Sequence, residues 1–121
     1  MLSRIRLELA RTKELPEGAA DIGYDFIAPL AADGHIDVDA WHKLRAKCQV
    51  FRFRPEGEEE LGHLTRKPGG SWAFHYDIHG DPNDDESGYR FATHPFVVGE
   101  YVSVREEDEL VTYRVAQVKP A

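Results

Sequence analysis

A chain of 121 residues with 41% hydrophobic and 31% charged side chains suits one soluble globular domain spanning 1–121, long enough to bury a core without disulfides or metal staples. The net charge of −7 argues against nucleic acid and anionic membrane surfaces as partners, and no apolar run approaches the roughly 20 residues of a membrane-crossing helix. Cys48 is the only cysteine, which excludes an intrachain disulfide and fits a reducing cytoplasm.

The N-terminus, Met1-Leu2-Ser3-Arg4-Ile5-Arg6, interleaves charged and apolar residues and lacks the continuous apolar segment of a signal peptide. Arg4 to Ala10 alternates, with Ile5, Leu7 and Leu9 on one face, and predicts a strand with one wet side. Pro16, Gly18 and Gly23 make Lys13 to Gly23 a loop. Tyr24 to Leu30 is a second strand, and Pro29 points to an edge position. After a turn at Asp33-Gly34, Asp37 is placed to cap a short helix over Val38–Ala46. Val38, Trp41, Leu44 and Cys48 form its apolar stripe, with Trp41 inward, and Lys43, Arg45 and Lys47 lie near its C-terminal end.

Gln49 to Arg54 is a strand with Phe51 and Phe53 on one face and Val50, Arg52 and Arg54 on the other. The phenylalanines are assigned to the core and the arginines to pairing with glutamates of neighbouring strands. Pro55 to Glu60 is an acidic turn. Leu61–Arg66 and Trp72–Ile78 flank Lys67-Pro68-Gly69-Gly70-Ser71, a hairpin turn with a bulge at Gly70. Pairing Lys67 with Ser71 sets Leu64 opposite Phe74 and His63 opposite His75. His79 to Gly88 is an acidic loop, expected to be mobile from Asp81 to Ser87, and Tyr89 to Ala92 a short strand. A closing hairpin follows Gly99, a position suited to positive φ, with strands at Tyr101–Val104 and Leu110–Val118. The expected fold is mainly β: a small antiparallel barrel or strongly bent sheet of about seven to eight strands with one short helix.

The stretches His94-Pro-Phe-Val-Val-Gly-Glu-Tyr-Val-Ser-Val104, Gly34-His-Ile-Asp-Val-Asp-Ala-Trp41 and Pro68-Gly-Gly-Ser-Trp-Ala-Phe74 resemble a family of small uncharacterised bacterial β-rich proteins. That family has no assigned activity, so the resemblance implies no functional residue. Gly99-Glu-Tyr-Val-Ser-Val104 alone is also similar to the closing hairpins of PUA-like and ASCH-like RNA-associated barrels, which would imply an RNA-associated module.

The sharpest chemical pattern is His75-Tyr76-Asp77-Ile78-His79. Alternate strand residues share a face, so His75, Asp77 and His79 would point one way, with His63 beside His75. Imidazoles with a carboxylate suit zinc, or a general acid–base pair; the plainer reading is a solvated strand face. Asp81-Pro-Asn-Asp-Asp85 opens like a calcium loop, but Glu86 stands where a glycine is needed and Ala92 where a bidentate glutamate is needed. Phe51-Arg52-Phe53-Arg54 and Tyr89-Arg90-Phe91 carry the residue types of a single-strand nucleic-acid platform, but alternation puts Phe and Arg on opposite faces. Cys48, Ser71 and Ser103 lack a nucleophile context. These residues lead to a non-enzymatic cytoplasmic β-barrel binding a protein or small ligand. The alternatives are a metal-binding protein using His63, His75, Asp77 and His79, and the RNA-associated module.

Overall fold

Period-2 alternation carries most of this chain into strands. The computed structural model describes residues 2–55, 57, 60–76, 86–89, 91, 93–106 and 109–121. Eight antiparallel strands follow one another around a closed barrel. They are β1 (Leu2–Leu9), β2 (Ala19–Pro29), β3 (Gln49–Phe53), β4 (Glu60–Arg66), β5 (Trp72–Tyr76), β6 (Glu86–Tyr89), β7 (Tyr101–Glu106) and β8 (Glu109–Pro120). β1 seals the barrel by pairing with β8, so no strand is left as an edge. Pro29 therefore marks no edge. It sits opposite Leu2 at the end of the β1–β2 ladder, where a missing donor costs little. No helix among the described residues is long and apolar enough to cross a membrane.

β2 starts at Ala19, five residues before Tyr24, so the expected loop over Lys13–Gly23 is shorter than the sequence suggests. Gly23 is a strand glycine at a bulge: it pairs with Glu8, while Leu9 pairs with Ala19. A Cβ on Gly23 would lie 1.8 Å from the Leu7 carbonyl oxygen, so only glycine allows the two backbones this close. The β4–β5 hairpin has the expected register, Leu64 with Phe74 and His63 with His75. Lys67 N–H donates to Ser71 O at 2.7 Å and Gly70 N–H to Lys67 O at 3.0 Å. Gly69 and Gly70 have φ of 94° and 93°, which a proline-led turn followed by a bulge requires.

β3 reverses the expected sidedness. Val50 is fully buried inside the barrel, whereas Phe51 and Phe53 are half-buried on the outside. The Arg6 guanidinium covers the Phe53 ring at 4.3 Å from its centroid. β6 is Glu86–Tyr89 and starts three residues before the expected strand over Tyr89–Ala92, of which Arg90 and Ala92 lie outside the described residues. Phe91 turns inward, 1% exposed, with its N–H on Gly88 O. The expected acidic loop lies largely outside the described residues; Glu86 and Ser87 belong to β6.

The interior is packed with rings. Phe26 meets Phe74 and Phe96 at centroid distances of 5.2 and 5.6 Å, and Phe91 meets Phe74 and Phe96 at 5.8 and 5.1 Å. Such edge-to-face and tilted pairs add to the area they bury. Helix α1 (Val38–Leu44) is capped by Asp37, whose side chain accepts from Ala40 N–H. It stops two residues short of the expected end, and Arg45–Lys47 tighten into a 3-10 turn. Trp41 is buried at 6% exposure. Its indole N–H donates to Leu64 O at 3.0 Å and its ring meets Trp72 edge-on at 5.2 Å, docking the helix on β4 and β5.

Candidate functional site

Four groups of polar side chains stand out. The first is inside the barrel at the end away from α1. Glu106, at the end of β7, accepts from Tyr24 hydroxyl at 2.8 Å, from Tyr113 hydroxyl, and from Arg52 Nη2 at 3.0 Å. The side chains of Arg52 and Glu106 are only 13% and 16% exposed. Burial, then the bond to Glu106, push the Tyr113 hydroxyl far above the ordinary tyrosine range. Both hydroxyls are donors to a carboxylate that also holds a guanidinium, so these four side chains support one another. It closes this end of the barrel. Sequence reasoning missed it. Glu106 sits in Arg105-Glu-Glu-Asp-Glu109, which reads as a solvated turn. The only hint was Arg52 on the face of β3 that carries Val50.

The second group is the histidine pair. His63 and His75 are directly opposed on the outer face of β4 and β5, both half-buried, with Gln49 opposite His63 on the other side. Asp77 and His79 lie outside the described residues. Two of the four expected metal ligands are thus brought together, and no group of three potential ligands is gathered among the described residues. The calcium-like stretch from Asp81 to Asp85 is also outside them. Cys48 is buried, its thiol pushed up to about 11 by desolvation, which keeps it protonated and inert. Ser103 shares a hydrogen bond with Thr112 on the exposed face of the closing hairpin. Phe51 and Phe53 face out while Arg52 faces in, so no aromatic–basic platform forms on β3.

The third group ties the loop after β2 to the segment before β7. His35 Nδ1 lies 3.1 Å from Asp33 Oδ2, and Nε2 lies 3.1 Å from Thr93 O. A carbonyl at one ring nitrogen and a carboxylate within ion-pair distance of the other favour the imidazolium. The Thr93 carbonyl first, then Asp33, raise the pKa of His35 above 6.5. A group whose folded pKa is raised adds stability that is fully present below its unfolded pKa and is lost as pH rises through the folded pKa. A histidine-resolved NMR titration should therefore give His35 a midpoint above 6.5, falling in Asp33→Asn; a midpoint at or below 6.5 would refute the contact.

The fourth is a groove between α1, the 3-10 turn and β4. Its volume is about 420 Å³, and Trp41, Arg45, His63, Leu64, Thr65 and Arg66 line it. A second depression of about 510 Å³ shares Trp41, Arg45 and Arg66 and adds His42, Lys67 and the Pro68–Gly70 turn. Arg45 and Arg66 are exposed, and neither has a carboxylate partner among the described residues. Arg66 is held by a long contact from Nε to Gly70 O, 3.5 Å, and by the Trp72 face, 5.8 Å from its guanidinium carbon. The helix places Arg45 and the hairpin register places His63 and Arg66. The sequence signal was present only as two separate pieces: basic residues near a helix end and Arg66-Lys67 before a turn.

No family model, curated protein or solved structure matches this chain.

Proposed function

We propose that this barrel is a non-enzymatic binding module that takes a small ligand in the groove between α1 and β4. One observation carries the reading: Arg45 and Arg66, unpaired with carboxylates among the described residues, converge with His63 above the apolar floor of Trp41 and Leu64. Polar groups converging on a concave, partly apolar surface are the general form of a ligand site. The barrel interior offers less, being packed with rings and closed by the Glu106 network. Recognition on the outside of a filled barrel fits a fold that hosts many functions. The single buried Cys48 is at home in a reducing cytoplasm. A thermal-shift panel of neutral, cationic and anionic small molecules tests the reading. Ala46, exposed on the groove wall, is replaced by Trp to fill the groove. Stabilising compounds should lose their effect in Ala46→Trp. Hits indifferent to that change, or turnover of any compound, would contradict the reading.

A second reading, metal binding by His63 and His75 with Asp77 and His79, is favoured by the direct opposition of the two histidines. Against it, His63 shares its groove with two guanidinium groups, which repel a divalent cation. Micromolar zinc near pH 7.5 is expected to leave the melting temperature unchanged, and His63→Ala and His75→Ala to be nearly neutral. A zinc-dependent rise abolished by either substitution would favour the metal reading. The RNA-associated reading is opposed by the net charge of −7; salt-sensitive RNA binding would revive it.

A further inference from the structure

We infer that the ligand of this groove is a small phosphate-bearing anion, gripped between Arg45 and Arg66. The inference rests on the groove being the binding site and adds the chemical class. The net charge is −7, yet among the described residues the groove is bordered by two arginines and no acidic residue. A cation near a helix C-terminus can be explained by the helix dipole alone, and His42 and Lys43 in the last turn of α1 fit that account. Arg66 and Lys67 do not, because they come from the β4–β5 hairpin. Two separate elements therefore bring an arginine each to one depression. Each group keeps its fork of N–H donors without a protein carboxylate among the described residues, and that fork matches phosphate oxygens in pairs. His63 lines the first depression and His42 the second.

Size and charge choose among phosphate carriers. Depressions of about 420 and 510 Å³ suit a small phosphate ester or polyphosphate. An extended polyanion would have to run beyond the groove across an acidic protein, where repulsion grows with every phosphate. Joined at Arg66, the two depressions suit a ligand with two anionic groups, so inorganic pyrophosphate is the simplest probe.

The test is calorimetric titration of the full chain with inorganic pyrophosphate, beside a cationic and a neutral compound of similar size. Saturable binding of pyrophosphate alone is expected, weakening with added salt. Arg45→Gln and Arg66→Gln should each weaken it about tenfold or more, and Arg66→Lys should not restore it fully, since an ammonium lacks the fork. Arg66 also touches Trp72 and Gly70, so Arg45→Gln, on an exposed position, keeps the test clear of any folding defect. No saturable pyrophosphate binding, or binding unchanged in Arg45→Gln, overturns the inference. A neutral or cationic ligand displaced by Ala46→Trp would overturn the anion class while leaving the groove as the site. Tighter binding of single-stranded RNA than of pyrophosphate, with a steep salt slope, overturns the small-ligand class.

Discussion

Glu106→Ala should cost the fold roughly 3–5 kcal/mol, as expected when one partner of a buried ion pair is removed. The loss is not the worth of one salt bridge. Truncation removes the nearer carboxylate from a largely buried Arg52 and strips the acceptor from two tyrosine hydroxyls at once. Glu60 stays 4.0 Å from Arg52 Nη1 but is more exposed, so it holds the guanidinium less closely. Glu106→Gln should cost less, because an amide oxygen still accepts from a hydroxyl. The double change Arg52→Met with Glu106→Leu should recover most of the loss, since an apolar pair leaves no orphaned charge. Urea unfolding measures all three. A Glu106→Ala loss below about 1 kcal/mol would mean that water reaches the network and screens it.

Trp41→Ala should cost a similar amount, roughly 3–5 kcal/mol, the usual range for deleting a large core aromatic. The indole fills the space between α1 and Trp72, and its N–H satisfies Leu64 O. Its removal opens a cavity, orphans a carbonyl and unseats the helix that carries Arg45. Ligand binding in the groove should fall together with stability. Trp41 and Trp72 are 6% and 1% exposed, so native emission should be blue-shifted and should move to the red on unfolding. Emission of a solvated indole in the native state would contradict this packing.

What was legible in the sequence follows physical lines. The β4–β5 register could be read residue by residue, because Pro68, Gly69 and Gly70 leave the backbone one turn geometry, and a turn sets register. Asp37 and Trp41 were legible because capping and a helical stripe are local. The sidedness of β3 was not. Alternation of Phe with Arg defines two faces, but which face is inside depends on a glutamate 54 residues away that neutralises the inward arginine. Gly23 was misread for a similar reason: a bulge glycine and a loop glycine look alike until the opposing carbonyl is known. The barrel was expected from the number and spacing of the strands; the choice between a barrel and a bent sheet stayed open because the β1–β8 pairing that decides it joins the two most distant strands. The groove was not legible because its arginines come from elements that the sequence keeps apart.

The central claim is that this protein recognises its ligand on the outside of a filled barrel. Backbone-amide NMR during titration with a stabilising compound tests it most directly. The account predicts shifts confined to residues 41–47 and 63–70. Shifts centred instead on Tyr24, Arg52, Glu106 and Tyr113 would place the ligand inside the barrel end and contradict it.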